Sequence, residues 1–187
     1  MNKKIKLVIL CGKAGAGKDT LLREIIQRYP DIFNEIVSCT TRPPREGEVD
    51  GVNYHFLSVG EFTKKILNGD MLEATEFRDW HYGTMLSSLS PNKINIGVFN
   101  PAGTACLVEN SDLDIAVYII EASDKTRLLR QLNREENPDV HEIIRRFGTD
   151  EADFQNLEIA DYIRLVNEDE GYLEANAEYI ALRARFG

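Results

Sequence analysis

Cysteine is scarce and poorly placed for cross-linking: Cys11, Cys39 and Cys106 are widely spaced, and none belongs to a C-x-x-C pair. An odd, scattered set argues against a disulfide framework or a structural zinc site, and the three read as ordinary buried thiols. Histidine is no richer. His55, His81 and His141 have neither metal-ligand spacing nor a nucleophile nearby in sequence, and they take no assigned chemistry. Positive charge is in deficit, 22 basic against 31 acidic residues for a net charge of −9. A field of that sign repels nucleic-acid backbones and anionic lipid surfaces, so neither a nucleic acid nor a membrane is expected as partner. The apolar run from Ile5 to Cys11 is short, broken by Lys6 and followed by Gly12-Lys13 rather than a cleavage site. It reads as neither signal peptide nor membrane span, and the cytoplasm is the expected location.

What is present suits one compact domain, since 187 residues with 43% hydrophobic and 28% charged side chains match an ordinary globular chain. Lys6 to Cys11 is apolar after its first residue, as a strand covered on both faces should be. A Gly-rich turn follows, and from Lys18 the apolar residues Leu21, Leu22, Ile25 and Ile26 recur at helical spacing up to Tyr29-Pro30. Glu35 to Cys39 is read as a second strand, and the polar, Pro- and Gly-containing stretch Thr40 to Gly51 as a long loop. Tyr54 to Leu57, Met71 to Phe77, Ile94 to Phe99, Ile115 to Ile120 and Asp161 to Val166 are read as further strands. Val59 to Leu67 is read as a helix, Tyr82-Gly83 as a tight turn, and Arg134 to Asp139 as a bend in a helical hairpin. Alternating strands and helices predict an α/β doubly wound fold.

Gly12-Lys13-Ala14-Gly15-Ala16-Gly17-Lys18 matches G-x-x-x-x-G-K between a buried strand and a helix. In that setting backbone N–H groups cradle phosphate oxygens and the lysine reaches the β and γ phosphates. ATP is therefore the expected donor. Asp19 stands where Ser or Thr usually offers a hydroxyl to magnesium, and Thr20 follows. Both are candidates for Mg²⁺ brought in with ATP, a hard ion that accepts carboxylates. Asp19 has the alternative of simply favouring the positive end of the helix.

The run Ser38-Cys39-Thr40-Thr41-Arg42-Pro43-Pro44-Arg45, continuing through Asn53-Tyr54-His55-Phe56, resembles the guanylate kinase family closely. The resemblance implies a P-loop NTPase fold: a three-layer parallel-sheet core over about 1–37 and 92–187, an α+β acceptor-binding insertion over about 38–91, and a lid near 130–146. It implies that Ser38, Arg42, Arg45 and Tyr54 hold the phosphate of GMP or dGMP. Two guanidiniums and two hydroxyls do form a convergent donor set for one dianion. Further along, the resemblance implies guanine contacts from Glu73, Tyr82 and Thr84. A carboxylate suits guanine because N1–H and the exocyclic amine are adjacent donors, whereas adenine presents an acceptor at N1. Arg130, Arg134 and Arg146 fall where the family's lid arginines close on ATP phosphates. The family's acidic residues before its Gln-Gly pair are replaced here by Val98-Phe99-Asn100-Pro101-Ala102-Gly103, and the segment from Thr84 to Lys93 is short.

The expected reaction is transfer of the γ-phosphoryl of ATP to GMP or dGMP, with Lys18, Arg42 and the lid arginines neutralising charge, by a monomer or homodimer. Three rival readings stand beside it. A ribose 1,5-bisphosphate phosphokinase shares the Gly17-Lys18-Asp19 and Asn100 features, but Arg45, Tyr54 and Glu73 count against it. A broader deoxynucleoside monophosphate kinase is the second. The third is a non-catalytic phosphopeptide-binding module, in which the phosphate loop is typically degraded, unlike Gly12, Gly17 and Lys18 here.

Overall fold

The structure is a computed structural model that describes residues 4–45, 47–77, 79–109, 112–134, 136–155 and 159–186. Strand β1 (Ile5–Cys11) lies at the centre of a five-stranded sheet, flanked by β7 (Ile94–Val98) and β8 (Leu113–Glu121). The edges are β2 (Phe33–Glu35) and β9 (Ile163–Val166), and every pairing is parallel, in the order β2-β7-β1-β8-β9. Alternate side chains of β1 supply the two cores that such a sheet requires. Val8 and Leu10 pack with Leu21, Leu22 and Ile25 of α1 (Lys18–Arg28) and with Ala177, Ile180 and Ala181 of α6 (Glu170–Phe186). Leu7, Ile9 and Cys11 pack on the opposite face with Leu107 of α3 (Pro101–Val108) and Phe154 of α5 (Val140–Gln155). Each fully buried aliphatic side chain contributes about 1.5–3 kcal/mol, and together they fix the sheet whose carboxyl ends carry the phosphate loop.

A second, four-stranded sheet runs in the order β4-β3-β6-β5: β4 (His55–Phe56), β3 (Cys39–Thr40), β6 (Trp80–Met85) and β5 (Met71–Phe77). Helix α2 (Val59–Leu67) joins β4 to β5 and starts with a capping box, Ser58 accepting from Glu61 N–H while the Glu61 carboxylate accepts from Ser58 N–H. Helix α4 (Asp124–Leu132) and α5 form the hairpin after β8.

Several expectations need correction. The stretch Glu35 to Cys39 is not one strand, because β2 ends the main sheet at Glu35 and β3 opens the second sheet at Cys39, so the chain crosses between sheets there. Tyr82-Gly83 is not a turn. Both lie inside β6, opposite Thr75 and Ala74 of β5, and the reversal comes before Trp80. Gly83 is small because a side chain there would strike the Glu73 carbonyl and Phe62. The last strand starts at Ile163 rather than Asp161. Cys106 is exposed rather than buried. Of the expected bend, Glu135 lies outside the described residues; the rest falls between α4 and α5.

Candidate active site

Helix α1 opens at Gly17, which adopts a left-handed φ of 91° and caps the helix without any side-chain hydrogen bond. Its first N–H groups are thus left for an anion. Gly15 has a φ of 80°, and a Cβ there would lie 2.5 Å from the Arg127 carbonyl oxygen. The loop carbonyls are held by a collar of cationic and amide donors. Lys18 Nζ donates to Lys13 O at 3.1 Å, Arg127 Nε to Ala14 O at 3.0 Å, and Asn167 Nδ2 to Ala16 O at 2.9 Å. Arg130 Nη1 donates to the carbonyls of both Gly15 and Ala16 at 3.3 Å.

Helix α5 touches the same loop with carboxylates. Asp150 Oδ2 accepts from Ala14 N–H at 2.6 Å and from Arg127 Nη2 at 3.2 Å, and Glu151 pairs with Lys13. Arg127 itself is 2% exposed and stacks its guanidinium over Phe147. Neither Arg127 nor Asp150 was expected from sequence. The available signal was the three-residue spacing of Arg127 and Arg130, which puts both on one helix face; nothing local marked Asp150.

Facing this loop are the side chains of the second sheet. Arg42 is 8% exposed, donates to Glu48 at 2.9 Å and to Pro43 O at 2.7 Å, and stands over the rings of Tyr54 and Phe56. Burial opposes its charge, but Glu48 more than offsets this and its pKa is raised. Glu48 also accepts from Arg45 N–H at 2.7 Å, so this unforeseen carboxylate sets both arginines of the loop. Arg45 is lowered by withdrawal from water and then by the Arg146 and Arg42 cations. That influence brings an arginine of the loop and one of α5 to the same space. Tyr54 is pushed up to about 12 by burial and then by Asp19, so its phenol stays a hydrogen-bond donor at neutral pH. Tyr54 meets Tyr82 edge-on at 6.0 Å.

Deeper in, Glu73 is 6% exposed and accepts from Thr84 Oγ1 at 3.0 Å, while its Oε2 is buried with no partner among the described residues. Burial pushes its carboxyl up to about 7, only partly opposed by Thr84. A side chain on Gly103 would lie 3.6 Å from Oε2, which places that oxygen near the start of α3. Asn100 is the N-cap of α3, its Oδ1 accepting from Gly103 N–H at 2.6 Å, with Pro101 in the first turn. That is a helix-starting role.

Phosphate loop and second sheet open into one cleft of about 850 Å³. Its lining brings together Lys18, Asp19, Thr20, Ser38, Arg42, Arg45, Tyr54, Glu73 and Tyr82 with Arg130, Arg134 and Arg146. Thr84 supports the wall from behind, fully buried. Arg130 departs from expectation in its partners, being engaged by the loop carbonyls and Glu168 O. Arg146 pairs with Glu142 at 2.8 Å, and Glu142 is lowered to about 2 by Arg145, against burial, with Arg146 adding to the effect.

Comparison with known proteins shows the family. Residues 4–180 match the family model described as guanylate kinase. A guanylate kinase of Nostoc sp. is 34% identical over 168 residues, covering 88% of this chain and 83% of that protein. One of Trichormus variabilis is 32% identical with the same coverage. A crystal structure of guanylate kinase from Anaplasma phagocytophilum superposes with a TM-score of 0.68 over 99% of this chain and 87% of that one; at 22% identity it bears on the fold alone.

Proposed function

The chain belongs to the guanylate kinase family, and on that premise we propose that its cleft transfers the γ-phosphoryl of ATP to GMP or dGMP in line. The carrying observation is that a glycine-lined anion cradle and an arginine-lined one face each other across a single cleft. The acceptor needs no protein base, because the second pKa of a phosphate monoester is near 6 and its oxygen is already anionic at neutral pH. Rate then comes from positioning and charge neutralisation.

Ser38, Arg42, Arg45 and Tyr54 hold the acceptor phosphate, Arg42 and Tyr54 from a preset, largely buried arrangement. Glu73 accepts from guanine N1–H and the exocyclic amine, which its free Oε2 and Thr84-held Oε1 suit, and Tyr82 walls the base. Residues 12–20 cradle the donor phosphates, with Lys18 leaving Lys13 O for a phosphate oxygen. Arg134 and Arg146 approach the migrating group, and Arg130 keeps the loop in shape. Asp19 and Thr20, hard oxygen donors at the start of α1, fit Mg²⁺, which takes one or two protein oxygens beside substrate phosphates. When bound, that ion supplies charge neutralisation on the donor phosphates.

We assign acceptor binding to the segment 38–91 and lid closure to about 130–146 of a single kinase domain. Among the described residues no helix is long and apolar enough to cross a membrane, and the free thiols suit a cytoplasmic setting. Nothing among the matches favours the sugar-bisphosphate kinase, the broader deoxynucleotide kinase or the phosphopeptide module.

An ADP-release assay with ATP-Mg²⁺ against GMP, dGMP, AMP, dTMP and ribose 1,5-bisphosphate tests the acceptor. Turnover is expected with the guanine nucleotides and should fall by ~10²–10³-fold in Lys18→Ala, as expected for loss of a charge-stabilising group. Near-normal transfer to GMP by that variant would refute the mechanism.

A further inference from the structure

Strand β5 puts one more polar side chain on the wall of the acceptor half of the cleft. Residues at i and i+2 of a strand share a face, and burial along β5 alternates accordingly. Glu73 is buried and Thr75 half-buried, while Ala74 and Glu76 are exposed. Glu73 and Thr75 both line the cleft. Across the strand pair Glu73 lies opposite Thr84, and Thr75 opposite Tyr82. Directly opposed side chains on one face stand about 4.5–5.5 Å apart at Cβ. Thr75 is therefore one step along the sheet from Glu73, about 7 Å away at Cα, and beside the ring that meets Tyr54 edge-on at 6.0 Å.

The hydroxyl at that place serves nothing within the fold. Thr75 Oγ1 is sealed from solvent and has no hydrogen-bond partner among the described residues. Threonine suits strands by its shape, but a surface threonine keeps its hydroxyl in water. A hydroxyl withdrawn from water with nothing to bond forfeits its hydration without return. Thr75 already lines the cleft, and a step between staggered χ1 wells carries its oxygen to the cleft side when a partner is there to receive it.

The chemistry of that partner follows from the neighbours, and this step rests on the acceptor reading above, in which Glu73 takes the guanine edge and Tyr54 the phosphate. A nucleotide stretched between those two groups lays its sugar across the interval occupied by Thr75 and Tyr82. The hydroxyls that a ribose offers there are the 2′ and the 3′. The 2′-hydroxyl is carried by the carbon next to the one bearing the base, on the Glu73 side of the sugar. We propose that Thr75 hydrogen-bonds the 2′-hydroxyl of the acceptor, so that this kinase favours GMP over dGMP through a contact made on β5. Two hydroxyls suit each other, since either can donate or accept.

Initial-rate kinetics with ATP and GMP, dGMP or 3′-deoxy-GMP test this. For the wild type, kcat/KM should be roughly three- to tenfold higher with GMP and 3′-deoxy-GMP than with dGMP, the worth of one neutral hydrogen bond. Thr75→Val keeps the branched shape and removes the hydroxyl. Its GMP-to-dGMP ratio should fall to about one through a higher KM for GMP, and Thr75→Ser should restore the ratio. The melting temperature of Thr75→Val should not drop, because a methyl replaces a hydroxyl that has no partner inside the fold. A wild-type ratio near one, a ratio kept by Thr75→Val, a penalty on 3′-deoxy-GMP instead, or a lower melting temperature for Thr75→Val would overturn the inference and leave the kinase reading standing. Absence of turnover with every guanine nucleotide would overturn both.

Discussion

Glu73 sits where two requirements oppose each other. Its carboxyl is raised from 4.5 to about 7 by burial, so between those values the folded protein keeps a proton that the unfolded chain releases. Stability from this group therefore falls as pH rises through that window, by on the order of 3 kcal/mol. Glu73→Gln is expected to raise the melting temperature at pH 8, with the gain vanishing below pH 4.5, while losing guanine binding; thermal melts across pH check both signs. Guanine needs the ionised form, so KM for GMP should climb as pH drops below 7. GMP binding near pH 7 should release a proton, visible in calorimetry as a dependence on buffer ionisation heat. Glu48 acts one step back, through Arg42 and the Arg45 amide. Glu48→Gln should raise KM for GMP several-fold with kcat and KM for ATP little changed, and initial-rate kinetics separate these. Removing one member of a largely buried pair leaves Arg42 uncompensated.

Between elements, the contact of α5 on the phosphate loop has the sign opposite to catalysis. The Asp150 carboxylate occupies the Ala14 amide, so a nucleotide phosphate arriving at that amide meets negative charge. Asp150→Asn keeps an acceptor oxygen and removes the charge. Calorimetry should show ATP binding tightened roughly fivefold, equivalent to about 1 kcal/mol, together with a lower melting temperature because buried Arg127 loses an ionic partner. Gly15→Ala should abolish ATP binding, as the left-handed backbone and the Arg127 carbonyl both exclude a side chain.

For the molecule as a whole, one continuous cleft predicts that a bisubstrate ligand, adenosine and guanosine joined through five phosphates, binds more tightly than ADP and GMP separately. Thermal shift and calorimetry with the three ligands test this, and equal affinity would mean the two half-sites do not meet. Against a net charge of −9, Lys18, Arg42, Arg45, Arg130, Arg134 and Arg146 gather positive charge in one cleft.

Much of this was legible without coordinates because it is local. Five adjacent apolar residues ahead of G-x-x-x-x-G-K can be little else than a covered strand feeding a phosphate loop, and Val59 to Leu67 reads as a helix. The misread places are those where one short apolar stretch serves two bodies. Between Glu35 and Cys39 the chain leaves one sheet for another, and β-propensity has no means of registering that step. Tyr82-Gly83 looked like a turn because glycine permits turns, while its actual constraint is Phe62 and the Glu73 carbonyl arriving from elsewhere. The residue pattern by itself determined which two segments carry the glycine-rich and arginine-rich candidate cradles, since each is written within one contiguous segment. Only the tertiary structure decided that Arg127, Asp150 and Asn167 hold the loop, that Glu48 sets the arginines, and that Glu73 is raised toward neutrality, because burial and pairing depend on distances between segments far apart in the chain.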